Sequence, residues 1–246
     1  MTTSSITSSI GDLFTKVLLE RVATLISEEH LLLPDTANPW SKENYQYLKH
    51  QLKERVSPRR FKHSKGVAKT ARALARCYGF DADKARIAGI LHDWDKGLNN
   101  EAARARVTEL GLTIDPMVVR DMPWLLHGPT AAAALERACP ELGSEVFSAI
   151  AHHTSGTADM RPLDCIIYLA DIIEPNRTYG DADGIEHLRS LVGKVSLEQL
   201  YFEAFKYTLA FLVDQERLLY PGTIDIWNAL MARFGDLARM KRAGQL

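Results

Sequence analysis

Histidines and aspartates recur along this chain beside apolar stretches of helical period: His63, the pair His92-Asp93, His127, His153 and Asp171. Imidazoles and carboxylates are costly to bury unless something pairs with them. Asp171 is the sharpest case. It interrupts the run Ile166-Ile167-Tyr168-Leu169-Ala170-Asp171-Ile172-Ile173, where an uncompensated carboxylate costs roughly several kcal/mol and shifts toward neutrality. Any one of these residues has a plain alternative. A single histidine on an apolar face is more often a satisfied core residue than a ligand, and a His-Asp dipeptide arises by chance. The set is harder to dismiss, because H, HD and D on separate segments can converge on one cation. Neutral imidazole with carboxylate is the ligand set of iron, zinc, manganese and similar ions.

Apolar residues recur mostly at intervals of three and four, and no strand-like alternation stands out, so the chain is read as all-α. Ile10, Phe14, Val17, Leu18, Val22, Leu25 and Ile26 form the stripe of a first helix, followed by a turn-rich linker at Pro34–Pro39. A second helix begins after Ser41, an N-cap residue, and runs toward Val56. The third carries His63 with Val67, Ala71 and Leu74 on one face and stops at Gly79. A helix from about Asp83 to Asp93 delivers His92 and Asp93 at its C-terminal end, with Gly97 as its cap. Further helices are expected over 101–110, from just after His127, through Val146 to His153, and over 164–173, closed by Pro175. Ser196-Leu197-Glu198-Gln199 has the form of a capping box. It opens a long helix, and a last amphipathic helix follows Tyr220-Pro221-Gly222. Separate helices each lending a side chain to a central cation is the geometry of a bundle.

The 246 residues suffice for one large domain, and 46% hydrophobic with 25% charged is ordinary for a globule. A net charge of -1 provides no global basic field for nucleic acid. The three cysteines, Cys77, Cys139 and Cys165, are far apart and lack CxxC spacing, which argues against a disulfide framework or a cysteine zinc site. The first nine residues lack a signal-peptide core, and no apolar run approaches the roughly 20 residues of a membrane span. The expectation is a cytoplasmic protein. No Walker or Rossmann glycine pattern is present.

From about Glu43 to Met231 the chain resembles the HD-domain metal-dependent phosphohydrolases and, more narrowly, the bacterial YqeK-type symmetrical diadenosine-tetraphosphate hydrolases. The resemblance is carried by Arg60-Phe61-Lys62-His63-Ser64, Ala88-Gly89-Ile90-Leu91-His92-Asp93-Trp94-Asp95-Lys96, His127-Gly128-Pro129 and His153-Thr154-Ser155-Gly156. Ala170-Asp171-Ile172-Ile173-Glu174-Pro175-Asn176-Arg177 completes it. It implies an HD-domain helical bundle over 41–246, preceded by an N-terminal extension over 1–40 with an extra helix. It implies His63, His92, Asp93 and Asp171 as metal ligands. His127 and His153 fall in the second half of the site, ligating a second cation or binding phosphate. Asp93, Lys96, His127 and His153 are then the catalytic group, and Arg60, Lys96, Thr154, Asn176 and Arg177 bind substrate. An isolated Lys or Arg is usually a surface charge. Lys96 and Arg177, however, directly follow ligand segments, which brings phosphate contact level with that reading. His153 takes the motif position over His152 because it precedes Thr154-Ser155-Gly156. His30, His50 and His187 match nothing and are expected to be solvated.

The activity implied is cleavage of diadenosine tetraphosphate into two ADP by metal-activated water, with iron favoured by the family and manganese, cobalt or zinc allowed by the ligand types. Two alternatives stand beside it. One is an HD phosphohydrolase of another nucleotide (a monophosphate, deoxynucleotide or cyclic dinucleotide). The other is a non-catalytic nucleotide-binding module. A dinucleoside polyphosphate is the expected partner, without nucleic acid or membrane, and a homodimer stays open. The chain departs from the family at Trp94-Asp95, where Tyr-Ala is expected. Asp95 would weaken polyphosphate affinity unless it points away from the site.

Overall fold

The computed structural model describes residues 31–177 and 182–242, all helix and connecting turn, with no strand among them. Eleven α-helices are described: α1 (Lys42–Arg55), α2 (Pro58–Tyr78), α3 (Ala82–Leu91), α4 (Asn100–Glu109), α5 (Pro116–Asp121), α6 (His127–Ala138), α7 (Ser144–His152), α8 (Pro162–Ile173), α9 (Ala182–Leu191), α10 (Leu197–Asp214) and α11 (Thr223–Arg242). The helix expected over residues 10–26 lies outside the described residues.

The starts follow side-chain capping. Ser41, Ser57, Asp81 and Ser196 each accept a backbone N–H from the first turn of the helix that follows, satisfying donors that have no partner inside it. At α10 the Ser196 half of the expected capping box is present, with Gln199 N–H donating to Ser196 Oγ at 3.2 Å. Residues 31–40 do not stand apart from the bundle. Leu31 and Leu33 are buried, Leu31 N–H donates to Ala138 O at 3.0 Å, and Asn44 Nδ2 donates to the carbonyls of Asp35, Asn38 and Pro39.

Helix α8 is the axis. Every residue from Leu163 to Ile173 is buried except Asp171, so its apolar run is core on all sides. Helices α2, α7 and α10 pack around it, and α6 packs on α7. Helix α2 lies along α3 so closely that a Cβ on Gly89 would stand 2.9 Å from Ala68 Cα. That approach, which only glycine permits, brings His63 on α2 against the end of α3.

Two differences from the sequence reading matter. Helix α3 ends at Leu91, with His92 as its C-cap and Asp93 in the turn that follows. Gly97 does not cap it; a Cβ there would meet Arg55 O at 2.5 Å, so this glycine lets the turn lie on the end of α1. Cys139 and Cys165 are buried, burial pushing each thiol up to about 12, while Cys77 is exposed.

Candidate metal centre

The turn after α3 places Asp93 amid four imidazoles. Its Oδ2 lies 3.1 Å from His92 Nε2 and 3.7 Å from His63 Nε2; its Oδ1 lies 3.4 Å from His127 Nε2 and 3.8 Å from His153 Nε2. Asp171 on α8 faces the same point, with Oδ1 at 2.9 Å from His63 Nε2 and 3.9 Å from His92 Nε2.

All four rings are turned the same way. His92, His127 and His153 each bond through Nδ1 to the carbonyl three residues earlier: Gly89 at 2.8 Å, Trp124 at 2.7 Å and Ile150 at 2.7 Å. A carbonyl only accepts, so Nδ1 carries the proton and the neutral ring presents a bare Nε2. His63 Nδ1 donates instead to Glu174 Oε1 at 3.0 Å. Glu174 is fully buried, and its other oxygen accepts Asn176 N–H at 2.7 Å and Asn176 Nδ2 at 3.0 Å. A fixed acceptor behind each ring is the arrangement that orients metal-binding histidines.

The residues fit a cation. His63 Nε2 and His92 Nε2 are buried without a hydrogen-bond partner, an expensive state unless something binds them. The ligand atoms of His63, His92 and Asp171 lie within 4.8 Å of one another, as do those of His92, Asp93 and His153. Nitrogen and carboxylate ligands at about 2.0–2.2 Å from a shared ion would be separated by about 3–4 Å, close to the spacings found. Between His127 and His153 the two Nε2 atoms stand 3.0 Å apart. With both Nδ1 protons committed to carbonyls, that contact needs positive charge between or beside the rings.

The electrostatics favour charged carboxylates and neutral rings. Burial would raise both aspartates, yet His92 and His127 hold Asp93 well below the usual carboxylate range, and Arg177 with His63 does the same for Asp171. Burial lowers His127, assisted by Lys96, and lowers His153 further, assisted by His127 and His92. His92 is the exception: burial would lower it, but Asp93 and Asp171 raise it. Three cationic side chains border the cluster. Arg60 Nη1 reaches Asp93 Oδ2 at 2.8 Å, Arg177 Nη1 lies 3.3 Å from Asp171 Oδ1, and Lys96 Nζ lies 3.4 Å from His127 Nε2. Thr154 Oγ1 is also 3.4 Å from His127 Nε2.

Thus the structure brings His63, His92, Asp93, His127, His153, Asp171, Arg60, Lys96, Thr154 and Arg177 to one place. Asn176 lies at its edge, its amide committed to Glu174. His152 stands apart, half-buried, with Nδ1 3.3 Å from Ser148 Oγ. His50 and His187 are exposed; His30 lies outside the described residues.

Comparison with known proteins gives the family. The HD domain model matches residues 60–176. A symmetrical bis(5'-nucleosyl)-tetraphosphatase of Staphylococcus aureus is 35% identical over 187 residues, covering 75% of this chain and 93% of that one. Its counterpart in Bacillus subtilis is 31% identical, covering 74% and 94%. The chain belongs to this family of HD-domain hydrolases. Among solved structures, that of a predicted HD superfamily hydrolase involved in NAD metabolism from Clostridium acetobutylicum superposes with a TM-score of 0.70. It is 33% identical, and the match covers 77% of this chain and 97% of that one.

Within this HD-family chain, three residues of the site escape a reading of the sequence. Glu174 stands there only as part of a motif, although it fixes His63. A Cβ on Gly66 would stand 2.2 Å from Glu174 Oε2, so a glycine one turn along α2 from His63 makes the room for that carboxylate. Arg59 and Lys62 join Arg60, His63, Asn176 and Arg177 around a cleft of about 500 Å³. Their spacing beside His63 is the signal that could have found them.

The departure at Trp94-Asp95 resolves by direction. Asp95 is buried and points away from the cluster, with Arg55 Nη2 at 3.4 Å and Arg106 Nε at 3.6 Å. The Arg55 guanidinium also lies over the Trp94 ring, 4.4 Å from its centroid. The added negative charge is therefore met by cations on the far side of the turn.

Proposed function

We propose that this protein is a metal-dependent hydrolase that divides diadenosine tetraphosphate at its central anhydride into two ADP, with His63, His92, Asp93 and Asp171 holding the cation. The observation that carries the assignment is the common orientation of four imidazoles. Each has its Nδ1 proton fixed on an acceptor and its Nε2 turned toward Asp93, with those of His63 and His92 facing Asp171 as well. A divalent cation there would supply Lewis-acid charge and acidify a bound water.

The residues of the chain do the remainder. In the overall reaction, water oxygen bonds to one inner phosphorus, the central P–O–P bond breaks on that phosphorus, and the water proton is released. Arg60 and Arg177 stand where they can grip phosphoryl oxygens, Arg60 paired with Asp93 and Arg177 with Asp171. Guanidinium suits this because its planar fork meets two oxygens at once. Lys96 adds a point charge beside His127 toward the charge that grows on the phosphoryl group. His127 and His153, kept neutral by burial, offer a bare Nε2 pair that can receive the released proton or share a second cation or a phosphate oxygen. Thr154 supplies a hydroxyl to the same pair. The finer reading of the metal is iron; the nitrogen and oxygen donors equally suit manganese, cobalt or zinc.

The test is product analysis with metal-loaded protein and diadenosine tetraphosphate, the nucleotides being resolved by ion exchange. ADP as sole product is expected; ATP with AMP would place the cut off-centre. In His92→Ala and Asp171→Ala, bound metal and turnover are both expected to fall at least about a hundredfold, with helical content retained. Full activity in Asp171→Ala would sink the site assignment.

A further inference from the structure

Helix α2 leaves the metal centre with charge of one sign. Its 21 residues include seven lysines and arginines and no aspartate or glutamate, in a chain whose basic and acidic residues number 30 and 31. Eight of the eleven described helices have an acidic residue in the first turn, which suits the positive end of the helix dipole. The first turn of α2 has Arg59 and Arg60 instead. Beyond it, Lys62, Lys65, Lys69, Arg72 and Arg76 follow at intervals of three and four, within an arc of about 80° and over about 21 Å of helix. Like charges so placed destabilise a helix. The row therefore costs α2 stability, and little of it is neutralised. Arg72 meets Asp83 at 3.0 Å, but Lys62, Lys65, Lys69 and Arg76 are exposed and pair with no carboxylate among the described residues.

We propose that this row is the track of a single-stranded RNA whose 5′ end bears the tetraphosphate bridge, the strand leaving along α2 while its terminal phosphates lie at the metal centre. The inference rests on the hydrolase reading and widens its substrate from the free dinucleotide to RNA begun on one. Lys62 is the join. It lines the basic cleft of about 500 Å³ together with His63 and Arg177, and it is the first residue of the row. An anionic chain that leaves the cleft along α2 meets a further cation at steps of about 4.5–6 Å.

The form of the row selects the occupant. It is one cation wide, which suits one strand; a duplex or a membrane surface presents charge over a broader face. Its length is that of a few nucleotides, within the site sizes of single-strand binders, which track a backbone by such cations. The net charge of -1 that argued against nucleic acid describes the whole chain, whereas the track is local. Chemistry supplies the connection. A dinucleoside tetraphosphate retains free 3′ hydroxyls, so template-directed polymerisation from one of them leaves the bridge at the 5′ end of the strand. The reaction at the metal centre keeps its balance. Water oxygen bonds to one inner phosphorus, the central P–O–P bond breaks, the water proton is released, and the products are ADP and RNA with a 5′ diphosphate.

The test compares two substrates on metal-loaded protein: diadenosine tetraphosphate, and an RNA of about ten nucleotides with adenosine joined through tetraphosphate to its 5′ end. At about 50 mM salt the RNA is expected to show a KM at least about tenfold lower, and at about 200 mM that advantage should shrink by about tenfold, as counterion release at a few phosphate contacts requires. Combined Lys65→Glu, Lys69→Glu and Arg76→Glu, all at exposed positions outside the site, should remove the advantage. Its kcat and KM for diadenosine tetraphosphate should stay within about twofold of wild type, because exposed charges beyond a Debye length are screened. Gln at the same three positions should fall between the two, and it decides the matter if the charge-reversed chain does not fold. The proposal is overturned if the RNA has the KM of the free dinucleotide, or if the variants keep the advantage. An RNA without advantage beside tight binding of long-chain inorganic polyphosphate or of anionic vesicles would assign the row to that polyanion and overturn it as well. If neither substrate is hydrolysed, the hydrolase reading fails. Fluorescence anisotropy with a 5′-triphosphorylated RNA of the same length then still decides the track: binding about tenfold weaker in the charge-reversed variant upholds it, and equal binding overturns it.

Discussion

Glu174 shows how a residue can govern a site without facing it. Its carboxylate is fully buried, receives the His63 proton on one oxygen and two Asn176 donors on the other, and sits in the space left by Gly66. Loss of its charge weakens the acceptor that fixes the His63 ring and its tautomer. Replacing such a carboxylate typically costs about 10–100-fold in metal affinity. Glu174→Gln is therefore expected to weaken metal binding by about tenfold in a competition titration with a chelator. Circular dichroism and, at saturating metal, most of the turnover should be kept. An unchanged affinity would mean that Glu174 only closes α8. The candidate ligands are legible in the sequence, because a carboxylate inside an apolar run is too costly to bury alone, and a His-Asp pair at a helix end supplies matching donors. Glu174 is not: a glutamate just after an apolar helix, ahead of proline, looks like an ordinary helix exit, and its partner lies 111 residues away. Arg59 and Lys62 are hidden for a related reason, since exposed basic residues acquire meaning only when a cleft gathers them.

At the scale of elements, the turn from His92 to Lys96 matters most, because it carries two candidate ligands and the lysine beside His127 outside any helix. What steadies it is the far side of the same turn. Asp95 has no exposed side-chain surface and lies between Arg55 from α1 and Arg106 from α4, while Trp94 stacks under Arg55. Removing one partner of a buried ion pair costs about 3–5 kcal/mol; here both guanidinium groups retain some exposure, so about 2 kcal/mol is expected. Asp95→Ala should lower the midpoint of chemical denaturation accordingly, and Asp95→Asn by less, since its amide oxygen still accepts a hydrogen bond. A stability equal to wild type in Asp95→Ala would show that the turn holds without this clamp. Helices α1, α2, α8 and α10 are readable because serine caps, a proline or a long apolar stripe marks them. Helices α5 and α9 are not. The first is only six residues long and includes two adjacent valines, poor helix formers. The second begins in a run rich in aspartate and glycine, and its buried residues, Ile185 and Leu188, are too few to make a stripe legible.

For the whole molecule, the cation is a tie between distant parts of the chain. Its candidate ligands arise from α2, the turn after α3 and α8, with the second pair from the start of α6 and the end of α7. None of these elements holds the complete set, so an ion that binds the assembled cluster has little affinity for the unfolded chain, and binding becomes folding free energy. At a free metal concentration of about a hundred times Kd, that linkage contributes about 2.7 kcal/mol. In a chain of this size, 1 kcal/mol moves Tm by about 2–4 °C. Chelation should then lower Tm by about 5–10 °C, fully restored by adding metal back. The control is Asp171→Asn, which removes the charge of one ligand while nearly conserving its shape. Its Tm should be far less sensitive to chelator than that of the wild type, even if its metal-free stability is similar. Were chelation to leave the wild-type Tm unchanged while abolishing turnover, the cluster would be preassembled by its Nδ1 hydrogen bonds alone, and the metal would add chemistry without holding the helices together.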